Sequence, residues 1–245
     1  MSEVRVAIHQ PNLFPWLGFF DKMAGADRFI FLDTVPFTKG GYQHRVQIKT
    51  SAGAPWLTAP VLTKGKLGQL TKDVCLDGAR AWRQSHGEAL RHAYGKAPAY
   101  GSRAPAISRV YSQAPDNLVA FALPGIVLLM QWLGLTTPTL MASEFATAGL
   151  SGSALLADLV LAVGGTTYVS GPSGRAYLDE EMFRNQGVRV EYKDFNPFNY
   201  PQRFGPFAPG LSALDFVFNV PDAATAFASR FVGRAGADVQ VAKLD

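Results

Sequence analysis

A single cysteine, Cys75, leaves no pair for an internal disulfide, so the fold must rest on its hydrophobic core, and a cytoplasmic setting is expected. No run of eighteen apolar residues occurs, which excludes an α-helical membrane span. The opening Met1-Ser2-Glu3-Val4-Arg5 lacks the charged-then-apolar layout of a secretory signal. Lysine and arginine form no dense block, so sequence-specific nucleic-acid binding is not indicated. Histidines are few and scattered. Glu88 and His92 lie four apart on an expected helix, but two ligands make no metal site, and His44 and His86 do not complete one. No metal and no cofactor is expected, and Cys75 reads as a small buried residue.

What is present is an ordinary globular composition. Hydrophobic residues make up 48% of 245, the formal charge is +4 and the sequence pI is about 9.2. One α/β domain over residues 1–245 fits this length. The mild positive charge favours acidic partners such as a nucleotide, an acidic carrier protein or RNA.

Along the chain, Arg5 to Gln10 reads as a buried strand. Pro11 and Pro15 then force a loop, since each lacks an N–H and disfavours helix before it. Trp16 to Ala24 reads as a helix closed by Gly25, and Arg28 to Asp33 as a second buried strand. A helical crossover of this kind joins parallel neighbours. Residues 35–76 carry frequent glycines between short alternating runs, clearest at Arg45–Thr50 and Trp56–Leu62, and read as an antiparallel insertion. Residues 79–134 read as a helical insertion: a helix to Tyr94, then two helical pieces from Ala104 to Leu133 broken near Pro115. The α/β rhythm returns with strands at Pro138–Ser143, Thr167–Ser170 and Val188–Asp194. Helices are expected at Ser153–Val163, Tyr177–Asn185 and Ala223–Phe231. Ser212-Ala213-Leu214-Asp215 has capping-box form, and the tail beyond Gly233 has little apolar surface to hold it.

The expected fold is thus α/β: an open, mostly parallel, Rossmann-like sheet of about five strands, with an antiparallel β insertion and a helical insertion. Ligands of such sheets sit beyond the strands' carboxyl ends where strand order reverses. Here those ends are His9-Gln10, Asp33, Ser143-Glu144 and Ser170-Gly171. His9 suits a proton shuttle or a donor to a phosphate or carbonyl oxygen; a histidine there also serves to tie down the loop. Asp33 suits orientation of an amine or hydroxyl, or a base, and equally a turn cap. In Lys39 to Lys49, alternation puts Arg45, Gln47 and Lys49 on one face, a cationic row able to hold phosphate or carboxylate, or simply a solvated face. Ser170-Gly171-Pro172-Ser173-Gly174-Arg175 joins a strand to a helix, where free N–H groups can meet an anion or merely close a turn. It is neither a nucleophile elbow nor a Walker loop.

His9-Gln10-Pro11-Asn12 with Phe14-Pro15-Trp16-Leu17-Gly18-Phe19-Phe20-Asp21-Lys22 resembles the opening of the WbqC-like family. The likeness continues through Phe31-Leu32-Asp33 and Gln43-His44-Arg45 to Lys49, with Tyr42 where the family pattern leads one to expect tryptophan. It recurs at Tyr168-Val169-Ser170-Gly171 with Tyr177-Leu178, at Tyr200-Pro201-Gln202, and at Leu211 to Asp215 with Phe218-Asn219. The resemblance implies transfer of a small acyl or aminoacyl group, glycyl for example, to an amine or hydroxyl in bacterial polysaccharide or natural-product biosynthesis. Taken together, the strand-end set and these blocks point to His9 and Asp33 as catalytic, and to Gln10, Asn12, Trp16, Lys39, Tyr42, Gln43, Arg45, Lys49, Ser170, Gly171, Ser173, Tyr177, Tyr200 and Gln202 as substrate-binding. The partners implied are a small-molecule acceptor and an acyl-carrier protein or aminoacyl-tRNA donor. A weaker likeness is architectural. The strand, histidine loop, helix and Asp-ended strand resemble nucleotidylyltransferases, but His9 lacks the following Gly-His of their motif. A non-catalytic ligand- or carrier-binding module is the third reading.

Overall fold

A computed structural model describes residues 3–79, 81–113 and 115–230. In chain order the elements are β1 (Arg5–His9), α1 (Leu17–Ala24), β2 (Arg28–Phe31), β3 (Arg45–Gln47), β4 (Trp56–Thr58), α2 (Trp82–Tyr94), α3 (Tyr100–Ser112), α4 (Leu118–Trp132), β5 (Thr139–Met141), α5 (Gly152–Ala162), β6 (Thr167–Ser170), α6 (Glu180–Asn185), β7 (Arg189–Tyr192), α7 (Ala213–Asn219) and α8 (Ala223–Ala228). The expected tail beyond Gly233 lies outside the described residues. No helix among those described is long and apolar enough to cross a membrane.

Five strands form one parallel sheet in the order β5-β2-β1-β6-β7. β1, β2 and β6 are buried because the sheet is covered on both faces, which is why they read as apolar runs. Side chains alternate between the two faces. Ala7, Phe29, Phe31 and Val169 pack with α1, α7 and the α2–α4 helices. Val6, Ile8, Ile30 and Tyr168 pack with α5 and α6. The chain therefore runs outward from β1 through β2 to β5, then crosses back through α5 to β6. Strand order reverses between β1 and β6, and that reversal positions the site.

The 35–76 segment holds the second sheet, β3 antiparallel to β4 with Val46 opposite Leu57. Both strands are shorter than the sequence suggests, since pairing beyond them survives only as single bridges such as Val61 with Leu76. The helical break near Pro115 falls between α3 and α4 as expected, while α3 begins at Tyr100 and runs through Pro105.

Four local expectations are corrected. Tyr177 does not open a helix: Pro172–Ala176 is a short 3₁₀ turn, and α6 starts only after Asp179, whose carboxylate accepts from Met182 N–H at 3.0 Å. Ser212 caps α7 by accepting from Leu214 N–H, but no capping box forms, because the Ser212 N–H donates to the Gln47 carbonyl at 2.9 Å and Asp215 Oδ2 accepts from Tyr200. Cys75 is half-buried rather than buried. Arg45, Gln47 and Lys49 make no common row: alternation ends with β3, and Lys49 turns inward into the 202–206 loop.

Candidate functional site

The β1–β6 ladder ends at Ala7 with Val169. Beyond it the two strands part, as expected where their connections leave on opposite faces. The His9 carbonyl still faces β2, accepting from Leu32 N–H at 2.9 Å, so the Ile8 carbonyl faces the β6 side, where the ladder has run out. Lys22, from α1, fills that place: its Nζ donates to the Ile8 carbonyl at 2.8 Å. The result is a cleft of about 350 Å3 lined by His9, Gln10, Lys22, Ser170, Ser173 and Tyr177, with Leu155 and Leu156 among its apolar walls. Among the described residues its lining includes no carboxylate and no cysteine.

His9 packs edge-on against Phe19, ring centroids 5.0 Å apart. Its Nδ1 lies 2.9 Å from the Gln10 carbonyl. A carbonyl only accepts, so Nδ1 carries the proton and Nε2 keeps a lone pair. Burial first, and the charge of Lys22 second, push the His9 pKa down to about 3, against the opposing pull of the Gln10 bond. His9 is therefore a neutral hydrogen-bonding group at any working pH, and a weak base. Burial likewise pushes the Lys22 amine down to about 7. Gln10 is oriented by Gln43, which donates to its Oε1 at 2.7 Å and leaves the Gln10 N–H2 as a donor. The buried Ser170 hydroxyl donates to the Gly171 carbonyl at 3.1 Å. Gly174 must be glycine, since a Cβ there would collide with Ser170 Oγ. Tyr177 stands open at the rim.

The rest of the proline loop anchors rather than lines. Asn12, Leu13 and Phe14 are buried. Phe14 sits at φ +39°, a strained value for a non-glycine residue. Ser212 Oγ donates to the Phe14 carbonyl at 2.8 Å and Ala213 N–H to Pro15 at 2.8 Å. Gly125 gives Phe14 its space. Trp16 turns away from the cleft and packs on Phe195, centroids 5.0 Å apart.

The remaining expected residues fall in three other places. Asp33 ends β2 as expected, but both its oxygens are engaged by Ser143, from N–H at 2.9 Å and from Oγ at 2.7 Å. It clasps the β2 and β5 ends together, outside the cleft lining. Lys39 and Tyr42 are exposed near the β3–β4 hairpin, where the Arg45 guanidinium lies over Trp56 at 4.2 Å. Lys49, Tyr200 and Gln202 meet in a buried network. Lys49 Nζ donates to Gln202 Oε1 at 3.0 Å and to the Gly205 and Pro206 carbonyls, and Tyr200 donates to Asp215 at 2.9 Å. Burial raises the Asp215 pKa, opposed by Tyr200, Tyr94 and Lys49.

Lys22 is the charged lining residue, and the sequence alone assigns it no role. Its signal is an Asp21-Lys22 pair inside a short apolar helix of which seven residues are buried. A larger cleft, about 540 Å3, lies between α2 and α3 near Arg83, Tyr100 and Phe218. It is remote from the strand ends, and Arg83 there already meets Asp116 at 3.5 Å.

A five-stranded parallel sheet with a hydroxyl- and amide-lined cleft at its strand-order reversal defines an open α/β protein. The chain matches the model of the WbqC-like protein family over residues 10–227 and belongs to that family. It is 34% identical over 218 residues to Uncharacterized protein Rv1507c of Mycobacterium tuberculosis (strain ATCC 25618 / H37Rv), covering 88% of this chain and 94% of that one. No solved structure matches it.

Proposed function

We propose that this protein transfers a small acyl or aminoacyl group, glycyl for example, from an activated donor to the amine or hydroxyl of a small-molecule acceptor in polysaccharide or natural-product biosynthesis. The observation that carries this reading is the cleft between β1 and β6, whose polar lining is neutral hydrogen-bonding groups and one amine. Direct attack by an acceptor amine requires orientation and oxyanion support but no enzyme nucleophile. The cleft's lack of a thiol or carboxylate fits that requirement. His9 orients the acceptor through the Nε2 lone pair, and Gln10 and Tyr177 hold its polar groups. The Gly171–Ser173 turn offers backbone N–H groups to the developing oxyanion. Asp33 acts at a distance, by fixing the strand ends. A carrier-protein thioester or an aminoacyl-tRNA is an acidic macromolecule and suits a chain of net charge +4.

The test is incubation with glycyl-charged carrier thioester or glycyl-tRNA and a panel of amino sugars, followed by product mass. Product is expected with the wild type, and His9→Ala should slow its formation by about tenfold or more. No product from any donor, together with calorimetric binding of ATP and magnesium, would replace this reading with a nucleotidyl-transferring one. Acceptor binding that His9→Ala leaves intact, without turnover by the wild type, would make the protein a binding module.

A further inference from the structure

We propose that Lys22 is the proton acceptor of the β1–β6 cleft, taking the proton that the acceptor amine must lose as it attacks the donor carbonyl. This rests on the acyl-transfer reading and assigns its missing base. The geometry comes first. Lys22 is 7% exposed, yet it lines the cleft at the point where the β1–β6 ladder stops. Among the described residues its one hydrogen bond is to the Ile8 carbonyl, and no carboxylate pairs with it. Its neighbour Asp21 is occupied elsewhere, 3.2 Å from Lys193 and 3.7 Å from Arg230.

The groups that face Lys22 from the packed elements are His9 and Ile8 of β1, Tyr168 and Ser170 of β6, Tyr177 beyond the 3₁₀ turn, and the apolar Leu155 and Leu156 of α5. None is an anion near neutrality: burial pushes His9 down and both tyrosines up. Apart from the Ile8 carbonyl, none of these groups therefore stabilises an ammonium, and burial pushes the amine's pKa down to about 7. A free amine can keep one N–H on Ile8 and offer its lone pair to the cleft. His9, at about 3, is too weak a base for this task, whereas a base near 7 matches neutral operation.

In the step, the acceptor nitrogen forms a bond to the donor carbonyl carbon. The bond from that carbon to the donor's sulfur or oxygen breaks, and its electron pair leaves with that atom. The proton shed by the nitrogen passes to Lys22 Nζ and then to the leaving atom, so Lys22 returns unchanged.

Two measurements on the full chain test this. The first is acetylation by trace acetic anhydride from pH 5 to 11 with peptide mass spectrometry, the exposed Lys64 and Lys66 correcting for reagent decay. Lys22 should reach half-maximal reactivity near pH 7, and a midpoint above 9 overturns the proposal. The second is glycyl transfer by Lys22→Met and Lys22→Arg. Both should lose about a hundredfold or more in rate, and the wild-type limb near pH 7 should vanish from the residual activity. Rescue by Lys22→Arg would mean that charge suffices, and a wild-type rate in Lys22→Met would mean that the amine is idle; either overturns the proposal. A Lys22 midpoint near 7 with no transfer by the wild type from any donor fails the transfer reading itself, and the proton-acceptor role with it.

Discussion

Among the described residues two lysines are buried, and they are buried differently. Lys49 is 4% exposed and its Nζ meets three oxygens, from Gln202, Gly205 and Pro206. Lys22 is 7% exposed and meets one carbonyl, with a cleft beside it. A buried cation is tolerated when its donors are satisfied and penalised when they are not. Lys49 is thus a tie between the β3 end and the 202–206 loop, while Lys22 is a group held ready for something that is not part of the fold.

The largest effect should come from cutting the tie. Lys49→Met removes the Nζ partner of the Gly205 and Pro206 carbonyls, leaves Gln202 Oε1 to the Ala208 N–H alone, and takes a cation from the buried Asp215, whose carboxyl Lys49 helps to keep ionised. Unpaired buried groups cost about 1–3 kcal/mol each, so a loss of about 4 kcal/mol is expected in urea unfolding at pH 7. A loss under about 1 kcal/mol would show that the network re-forms around water, and would erase the contrast with Lys22.

Next in size is an acid limb that involves neither lysine. His86 accepts from Tyr111 through Nδ1 at 3.0 Å and donates to the Thr58 carbonyl through Nε2 at 3.2 Å. Burial pushes its pKa down to about 4. The unfolded imidazole binds a proton near 6.5 and the folded one does not, so acid favours unfolding. Stability is full above about pH 6.5 and should fall toward pH 4 by about 3 kcal/mol from this residue, with His9 adding to the same limb. His86→Gln should flatten that slope in denaturant titrations, and an unchanged slope would place the acid sensitivity elsewhere.

The comparison also explains what the sequence made legible. β1, β2 and β6 are buried on both faces, so they stood out as apolar runs, and their ends named His9, Ser170 and Gly171 directly. Asp33 was legible as a strand end but not as a clasp, because Ser143, its partner, lies 110 residues away. Lys22 hid because Asp21-Lys22 on an amphipathic helix reads as the wet side. Here α1 has no wet side: Lys193 and Arg230 cover Asp21, and the sheet end covers Lys22. The cationic row failed for a related reason. Alternation predicts a face only while the strand lasts, and β3 lasts three residues.

Lys22→Met sharpens the contrast in the opposite direction. The folded amine binds its proton only below about pH 7, whereas the unfolded one does so below about 10.4. Unfolding therefore takes up a proton between those values, and wild-type stability rises with pH across that window. Below pH 7 the whole burial penalty is present. Methionine removes it and leaves the Ile8 carbonyl unbonded, so a net gain of about 2 kcal/mol is expected at pH 6, fading as the pH rises from 7 toward 10. A variant that is inactive yet more stable is the signature of a functional residue. Lys22→Met less stable than the wild type at pH 6 would mean that the Ile8 bond outweighs burial, making Lys22 a second Lys49.

The smallest effect separates strand ends that chemistry uses from those that only hold. Asp33 and His9 end adjacent strands, β2 and β1, but only His9 opens onto the cleft. Asp33→Asn keeps one oxygen for the Ser143 N–H and presents an amide that Ser143 Oγ can accept from, so about 1 kcal/mol of stability should be lost. If Asp33 is a clasp, glycyl transfer should stay within about twofold of wild type, because a small shift in the β5 end does not reach the far side of β1. A drop beyond about tenfold with the stability loss still near 1 kcal/mol would mean that the Asp33 charge is felt at the reacting atoms. Leu32 and Val35, on either side of Asp33, already line the cleft, so that charge would act through the β2 end, and the division between reactive and structural strand ends would have to be redrawn.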